Sequence, residues 1–223
     1  MSDDLRTDRH QELYGWLALL FLANFGLLLG NVPTTALVYD PAAVAGGEWW
    51  RVATWPWVHV SRYHLLLDSA AFLLLYQGLE ARSARLRCSY LLATIAGSLL
   101  LPILWAPELD RLGLCGLSGP AHGLLAITAL ELCGQRRHQW LGAGLLGGLL
   151  AKTAWELWSN NAFLQQYHFG DIGVPIVTTH AGGVIGGILV FGLGRWWQLR
   201  RDFLRKLDDA DNKTYSRPEG ISA

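Results

Sequence analysis

A serine flanked by glycines is the first feature of the sequence that could do chemistry. Ser118 lies in the tetrapeptide Gly116-Leu117-Ser118-Gly119, which opens an apolar run. In the first turn of a helix, unpaired backbone N–H groups and the positive end of the helix dipole can stabilise an oxyanion beside a serine hydroxyl. A helix-capping serine next to glycine is also a common structural feature. The tetrapeptide therefore predicts a nucleophile only if a base lies near it.

His180 is the candidate base. It opens a later apolar run, and Gly183 and Gly187 follow it at +3 and +7. Small residues at this spacing let another helix approach at backbone distance, and if that helix begins at Ser118 the imidazole can reach the hydroxyl. A buried histidine bonded to a backbone carbonyl is the structural alternative. No acidic residue is well placed to orient His180, because Asp171 lies nine residues earlier, so we predict a Ser-His dyad.

His64 and Asp68 form a third polar group, an i, i+4 pair on one helix face. A donor aimed at a developing oxyanion typically contributes about 3 kcal/mol of transition-state stabilisation, and His64 could supply one. Asp68 fits that role less well, because an ionised carboxylate would repel the oxyanion. It could fix the tautomer of His64, or act as a donor if burial keeps it protonated. A pair that only stabilises its helix is the alternative.

The composition indicates that helices in a membrane must position these residues. Charged residues make up 16% of the 223 residues, against about 25% in a soluble domain, and apolar residues make up 52% beside 25 glycines and 11 tryptophans. The formal net charge is zero, which removes the electrostatic case for a nucleic-acid partner. The three cysteines (Cys88, Cys115 and Cys133) have unrelated spacings, so they indicate neither a disulfide framework nor a zinc cluster. We expect no metal and no cofactor.

Six apolar stretches predict six membrane-spanning helices. The second contains Asp68, and the fifth contains Lys152 and Glu156. An ionisable group in the bilayer costs at least a few kcal/mol unless it is paired or faces a polar cavity. Lys152 and Glu156 are four residues apart, so pairing with each other explains them, whereas Asp68 has no such partner in its own helix. The predicted spans are 13–39, 63–79, 88–107, 112–130, 140–158 and 172–194.

The basic residues predict the orientation of these spans. With the N-terminus inside, 14 of the 18 Lys and Arg residues fall on the inner side and three on the outer side, while Lys152 lies in a span. The positive-inside rule then places both termini in the cytoplasm. We predict a cytoplasmic segment (1–12), a six-helix membrane domain (13–199) and a loose cytoplasmic tail (200–223). The first span is predicted to be a retained helix and not a cleaved signal.

Under this topology the second, fourth and sixth spans all begin at the outer face. Polar residues near the start of each would therefore lie at one depth, as a single site. The residues that this argument brings together are His64, Asp68, Ser118, His122 and His180.

Taken together, these motifs resemble those of rhomboid intramembrane serine proteases. They are Gly-x-Ser-Gly opening the fourth span, His-x-x-Gly-x-x-x-Gly opening the sixth and His-x-x-x-Asp in the second. Upstream, Glu48-Trp49-Trp50-Arg51 resembles the family's Trp-Arg signature, and Glu80 and Arg82 match a further pattern. The resemblance implies that Ser118 is the nucleophile and His180 the base. It assigns oxyanion or supporting roles to the set Gly116, Leu117, His64, Asp68 and His122.

The sequence departs from the family pattern at two positions. The family usually has Asn where this chain has Asp68, which puts that side chain's contribution in doubt. Many rhomboids carry a Tyr four residues after the nucleophile that packs against the catalytic imidazole, and this chain has His122 there. A histidine at that position could stack on His180 or form a hydrogen bond with it.

Two short segments resemble the rhombosortase branch of the family. They are residues 115–123, around the serine, and Lys152-Thr-Ala-Trp155-Glu156 in the fifth span. That branch is thought to process bacterial surface or secreted proteins that end in a Gly-Gly motif, a hydrophobic helix and a basic cluster. The resemblance implies a bacterial inner-membrane enzyme, an active site toward the outer face and a membrane-anchored substrate with a C-terminal transmembrane helix. It also gives Lys152 and Glu156 a second interpretation, as a substrate-facing feature.

The sequence therefore predicts an all-α, six-helix membrane protease whose partners are its protein substrate and the lipid bilayer. The acyl-enzyme could be resolved by water or by an amine. One rival is a rhomboid-like protein that binds membrane clients without cutting them. A second rival is a metal-dependent site, for which the candidate ligands are His59, His64, His122 and His180. The oligomeric state is not predicted.

Overall fold

The computed structural model describes residues 3–81, 83–163, 165–167 and 169–215. Over this part of the chain the fold is all-α as predicted, without strands, and its one isolated bridge joins Tyr39 to Leu114. Arg82 and the end of the predicted tail, 216–223, lie outside the described residues. The helices are α1 (Asp3–Ala23), α2 (Phe25–Gly30), α3 (Pro41–Ala45), α4 (Arg51–Thr54), α5 (Arg62–Gly78), α6 (Ala84–Trp105), α7 (Leu109–Leu112), α8 (Ser118–Cys133), α9 (Gln139–Ser159) and α10 (Thr178–Tyr215).

The predicted spans differ from these helices mainly at their ends. The first apolar stretch is divided into α1 and α2, and the fourth becomes helical only at Ser118, because Gly113 and Gly116 before it have φ of +67° and +97°. The sixth continues as helix through Tyr215, so the expectation of a loose tail is wrong for residues 200–215. Leu, Arg, Lys and Asp fill that segment without a Gly or Pro, which permits the helix to continue.

By length and apolar composition alone, α6 is the one helix among the described residues that could cross a membrane. Two of the helices predicted to cross the membrane are shorter than the roughly 20 residues that a span needs, since α5 has 17 residues and α8 has 16. The surface of the bundle is nonetheless apolar, and large side chains such as Leu74, Leu104 and Leu189 are exposed on α5, α6 and α10. Apolar surface on this scale suits lipid better than water. The six-span arrangement remains a prediction.

Glycine contacts hold α10 at the centre of the bundle, between α6 and α8. Gly183 and Gly187 lie directly against the backbone of Gly119 and Gly123 in α8, so close that a Cβ on either would collide with a carbonyl oxygen. Gly182 and Gly186, on the neighbouring face of α10, meet the backbone of α6 in the same way. The two helices that begin at Ser118 and near His180 are therefore packed at backbone distance.

The first loop, residues 31–61 between α2 and α5, supports the segment 113–117 that leads into α8. Its centre is Arg51, whose guanidinium donates to Thr35 O and Val38 O at 2.7 Å each and pairs with Glu48. The loop meets the segment before Ser118 twice. Tyr39 and Leu114 exchange backbone hydrogen bonds of 2.9 Å, and Gly116 N–H donates to Trp55 O at 3.1 Å. The Trp-Arg signature thus belongs to a structure that supports the approach to the serine.

The contact between α8 and α10 can be tested with a pair of glycine variants. Gly187→Ala adds a methyl group against the backbone of Gly123, so we expect the free energy of unfolding to fall by about 1–3 kcal/mol. Gly192→Ala, in the same helix but with open space around its Cβ position, should leave that free energy unchanged or raise it by up to about 1 kcal/mol. Tryptophan fluorescence during thermal unfolding in detergent measures both. Equal destabilisation of the two variants would contradict the packing argument.

Candidate active site

Ser118 is the first residue of α8, and its position depends on the two residues before it. Leu117 N–H donates to Asp68 Oδ2 at 2.7 Å, which ties the helix start to α5. Gly116 lies against the same carboxylate, since a Cβ there would lie 2.7 Å from Asp68 Oδ2 and 2.9 Å from the ring of His64. Its positive φ and this close approach both require glycine. The Gly-x-Ser spacing thus has a local structural cause.

His180 lies in the first turn of α10 and reaches Ser118. Its Nε2 is 3.2 Å from Ser118 Oγ, so the hydroxyl can donate to the ring nitrogen. The side chain of His180 is 8% exposed. The backbone contact between Gly183 and Gly119 lies one turn further along and sets the separation of the two helices at this level.

Glu156 of α9 contacts the other nitrogen of the same imidazole, which the sequence analysis missed. His180 Nδ1 lies 2.9 Å from Glu156 Oε2, so the expectation that no acidic residue is placed to orient His180 is wrong. Glu156 does pair with Lys152, at 2.6 Å, but through its other carboxylate oxygen. Pairing with Lys152 accounts for only one carboxylate oxygen of Glu156. The second oxygen, for which the sequence offers no local partner, was the available signal.

His122 stacks on His180, as one interpretation of the sequence allowed. The ring centroids are 4.1 Å apart with an interplanar angle of 12°. His122 Nδ1 lies 2.7 Å from Ser118 O, and its Nε2 lies 2.8 Å from Lys152 Nζ. A lysine ammonium is only a donor and a carbonyl only an acceptor, so we assign the proton of His122 to Nδ1. His122 therefore connects the serine backbone to Lys152.

Asp68 is the centre of a second polar cluster. Besides Leu117 N–H, its Oδ2 lies 3.2 Å from His64 Nε2 and 3.5 Å from His59 Nε2. His59 comes from the loop before α5 and is 2% exposed, while Asp68 is 7% exposed. Asp68 thus has partners from three segments, although its own helix supplies only His64.

Residues of both polar groups line one cavity of about 700 Å³ between α5, α8, α9 and α10. They are His64 and Asp68 of the second cluster, and Ser118, His122, Lys152, Glu156 and His180 of the cluster around the serine. Its size is that of a small-molecule or peptide site. Polar groups are concentrated on the wall formed by the helix ends, and apolar residues such as Leu67, Val174 and Ile176 line the rest. A serine, a base and backbone donors thus meet in a cavity that could accommodate an extended peptide.

The histidines of the proposed metal site fall into two separate pairs. His59 packs on His64 and His122 on His180, with ring centroids 5.0 and 4.1 Å apart. Among the described residues, His122, Glu156 and His180 form a group compact enough to hold a cation. The Lys152 ammonium already lies beside two of these, His122 and Glu156. The Lys152 ammonium therefore already supplies this group with the positive charge that a metal ion would bring.

Comparison with known proteins gives the family of the chain. The sequence matches the Rhomboid domain family over residues 46–196, about two thirds of the chain. The match includes the first-loop arginine, both polar clusters and the glycine contacts between α8 and α10. No curated protein matches the sequence. Because the family match covers more than half of the sequence and both polar clusters of the site, the chain belongs to the rhomboid family of membrane-embedded serine proteases.

Proposed function

We propose that this protein is an intramembrane serine endopeptidase in which Ser118 is the nucleophile and His180 the base. The observation that carries the proposal is the 3.2 Å contact between Ser118 Oγ and His180 Nε2 on the wall of the cavity. A hydroxyl is a poor nucleophile at its ordinary pKa, and an adjacent imidazole that removes its proton activates it. A protein that only binds clients would not need this contact.

The reaction follows from the positions of these two side chains. As Ser118 Oγ attacks the scissile carbonyl carbon, its proton passes to His180 Nε2 and the carbonyl oxygen becomes an oxyanion. The imidazolium then gives this proton to the leaving amine, which breaks the peptide bond and leaves an acyl group on Ser118. Water entering the cavity hydrolyses the acyl-enzyme, again with His180 as base.

Backbone amides of the first turn of α8 are our candidates for the oxyanion site, with His64 as the side-chain donor. Leu117 N–H is already bonded to Asp68, which fixes the segment but makes that amide unavailable while the bond persists. The Ser118 N–H has no partner within its helix because it lies at the helix start. We therefore assign the main backbone contribution to Ser118 and a positioning role to Asp68.

The substrate that we propose is a membrane-anchored protein with a C-terminal transmembrane helix that enters the bundle laterally from the bilayer. The support for the rhombosortase branch is the similarity of residues 115–123 and of the Lys152–Glu156 segment, which meet at one site here. The proposal places the enzyme in the bacterial inner membrane, with six spans, both termini in the cytoplasm and the cavity toward the outer face.

Removal of either reacting side chain should abolish activity. Ser118→Ala and His180→Ala are each expected to lower cleavage of a transmembrane reporter by about 10³-fold or more, because nucleophile and base act as a unit. A fluorophosphonate probe should label wild-type Ser118, which mass spectrometry can localise. Ser159→Ala, at the end of α9, and His10→Ala, exposed on α1, are the matched controls and should retain activity. Cleavage by purified Ser118→Ala would disprove the assignment.

The substrate class can be tested by co-expression in bacteria. A secreted protein that ends in Gly-Gly, a hydrophobic helix and basic residues should lose this tail in the presence of the wild-type enzyme. It should retain the tail with Ser118→Ala, and a reporter with the same helix but no Gly-Gly motif is the specificity control. Equal processing of both reporters would leave the protease assignment intact and reject the rhombosortase branch.

Two variants distinguish the positioning role of Asp68 from the effect of its negative charge. Asp68→Asn keeps a carbonyl oxygen that can accept from Leu117 N–H and removes a negative charge near the oxyanion, so kcat should equal or exceed that of the wild type. Asp68→Ala loses the acceptor, and we expect kcat to fall about tenfold or more. Steady-state cleavage of a reporter measures both. If the Asn variant loses as much activity as the Ala variant, the charge itself is needed and the positioning argument fails.

A further inference from the structure

We propose that Glu156 is a positioning residue that completes a Ser-His-Glu triad, and that Lys152 holds Glu156 in place. This inference rests on the proposed protease function, and it adds to that function an acidic residue that the sequence did not assign. The carrying observation is that the two carboxylate oxygens are engaged separately. One lies 2.9 Å from His180 Nδ1, and the other lies 2.6 Å from Lys152 Nζ and 2.8 Å from Phe163 N.

Glu156 determines which nitrogen of His180 is free to act as base. An ionised carboxylate only accepts hydrogen bonds, so Nδ1 must carry the proton and Nε2 is left with a lone pair toward Ser118 Oγ. Once Nε2 has taken the serine proton, the imidazolium remains bonded to the carboxylate, which stabilises its charge. The same arrangement of acid, imidazole and hydroxyl supports other serine hydrolases, on unrelated folds.

Burial makes the second carboxylate oxygen as important as the first. The side chain of Glu156 is 1% exposed, and an unpaired buried carboxylate would cost several kcal/mol. Lys152 Nζ and Phe163 N–H satisfy the oxygen that His180 does not use. Lys152 thereby holds the carboxylate in line with His180 without touching the base.

The contacts continue from Lys152 to the serine itself. Lys152 Nζ donates to His122 Nε2, and His122 Nδ1 donates to Ser118 O. Five residues from three helices thus form a closed ring of hydrogen-bonding contacts, which begins at the hydroxyl of Ser118 and returns to its backbone carbonyl. The five are Ser118, His180, Glu156, Lys152 and His122. Such a ring restricts the serine and its base together.

Isosteric variants provide the primary test. Glu156→Gln keeps the shape but offers an amide that can donate to Nδ1 and favour the unproductive tautomer, so kcat should fall by about 10³–10⁴-fold with KM little changed. The rate of fluorophosphonate labelling at Ser118 should fall in parallel. Glu131→Gln, in the same bundle but far from the serine along α8, is the matched control and should leave both rates unchanged. Glu156→Asp, shorter but still acidic, should recover part of the lost kcat.

A double-mutant cycle tests the role of Lys152. Lys152→Met should lower kcat by about tenfold only, since Phe163 N–H still holds the carboxylate. Because Lys152 acts through Glu156, the double variant should be no slower than Glu156→Gln alone. Losses that multiply would show that Lys152 acts independently of Glu156, through His122 or on the substrate, and would overturn its assigned role. Lys206→Met, on the exposed part of α10, is the control for loss of a lysine charge.

The outcomes separate this inference from the function on which it rests. If wild-type Ser118 is neither labelled nor active, the protease proposal fails. If the wild type is labelled and cleaves its reporter while Glu156→Gln remains within threefold of it, the enzyme works as a Ser-His dyad and the inference alone is wrong. Thermal unfolding of each variant shows that it is folded, and Glu156→Asp and Lys152→Met keep the test decisive if the Gln variant does not fold.

Discussion

The site depends on the backbone contact between α8 and α10. The two helices meet through Gly119, Gly123, Gly183 and Gly187, where a side chain on either helix would collide with main-chain atoms of the other. This contact sets the distance between the first turns of both helices, which carry the serine and the imidazole. Serine has a short side chain, so this close approach of the two backbones helps its hydroxyl to reach a histidine on the other helix. The glycines therefore contribute to the candidate site by setting the distance between the serine and the imidazole.

The second constraint is that charge in an apolar bundle must be paired. The site contains two buried carboxylates, and each has partners both in its own helix and in other segments of the chain. Asp68 accepts from the Leu117 amide and lies beside two histidines, while Glu156 lies between His180 and Lys152. The need to satisfy these groups brings α5, α8, α9 and α10 together, so the electrostatics that stabilise the bundle also position the serine and histidine of the candidate site.

The sequence predicted the helical fold and much of the site, because both depend on local patterns. Apolar stretches locate the long helices, and a serine between glycines or a histidine ahead of a Gly-x-x-x-Gly stripe can be recognised from a few residues. Helix ends were less predictable, as the late start of α8 and the long continuation of α10 show. The positive φ of Gly113 and Gly116 delays the start of α8. Arg and Lys residues, which favour helix, permit the continuation of α10.

Glu156 was missed for a different reason. It lies 24 positions before His180 and on another helix, so no spacing rule connects the two. The i, i+4 relation to Lys152 offered a sufficient local partner and left one carboxylate oxygen unaccounted for. A buried carboxylate with a single partner is incompletely satisfied, and asking where its second oxygen is bonded would have pointed to a contact between helices.

The two segments that suggested a rhombosortase are parts of one physical unit. Where many rhomboids have a tyrosine four residues after the serine, this chain has the half-buried His122, whose Nε2 accepts from Lys152. The half-buried Lys152 ammonium pairs in turn with the buried carboxylate of Glu156. Glu156 then has a free oxygen for His180. In this chain the two short segments, far apart in sequence, thus meet in one hydrogen-bonded unit that joins α8 to α9.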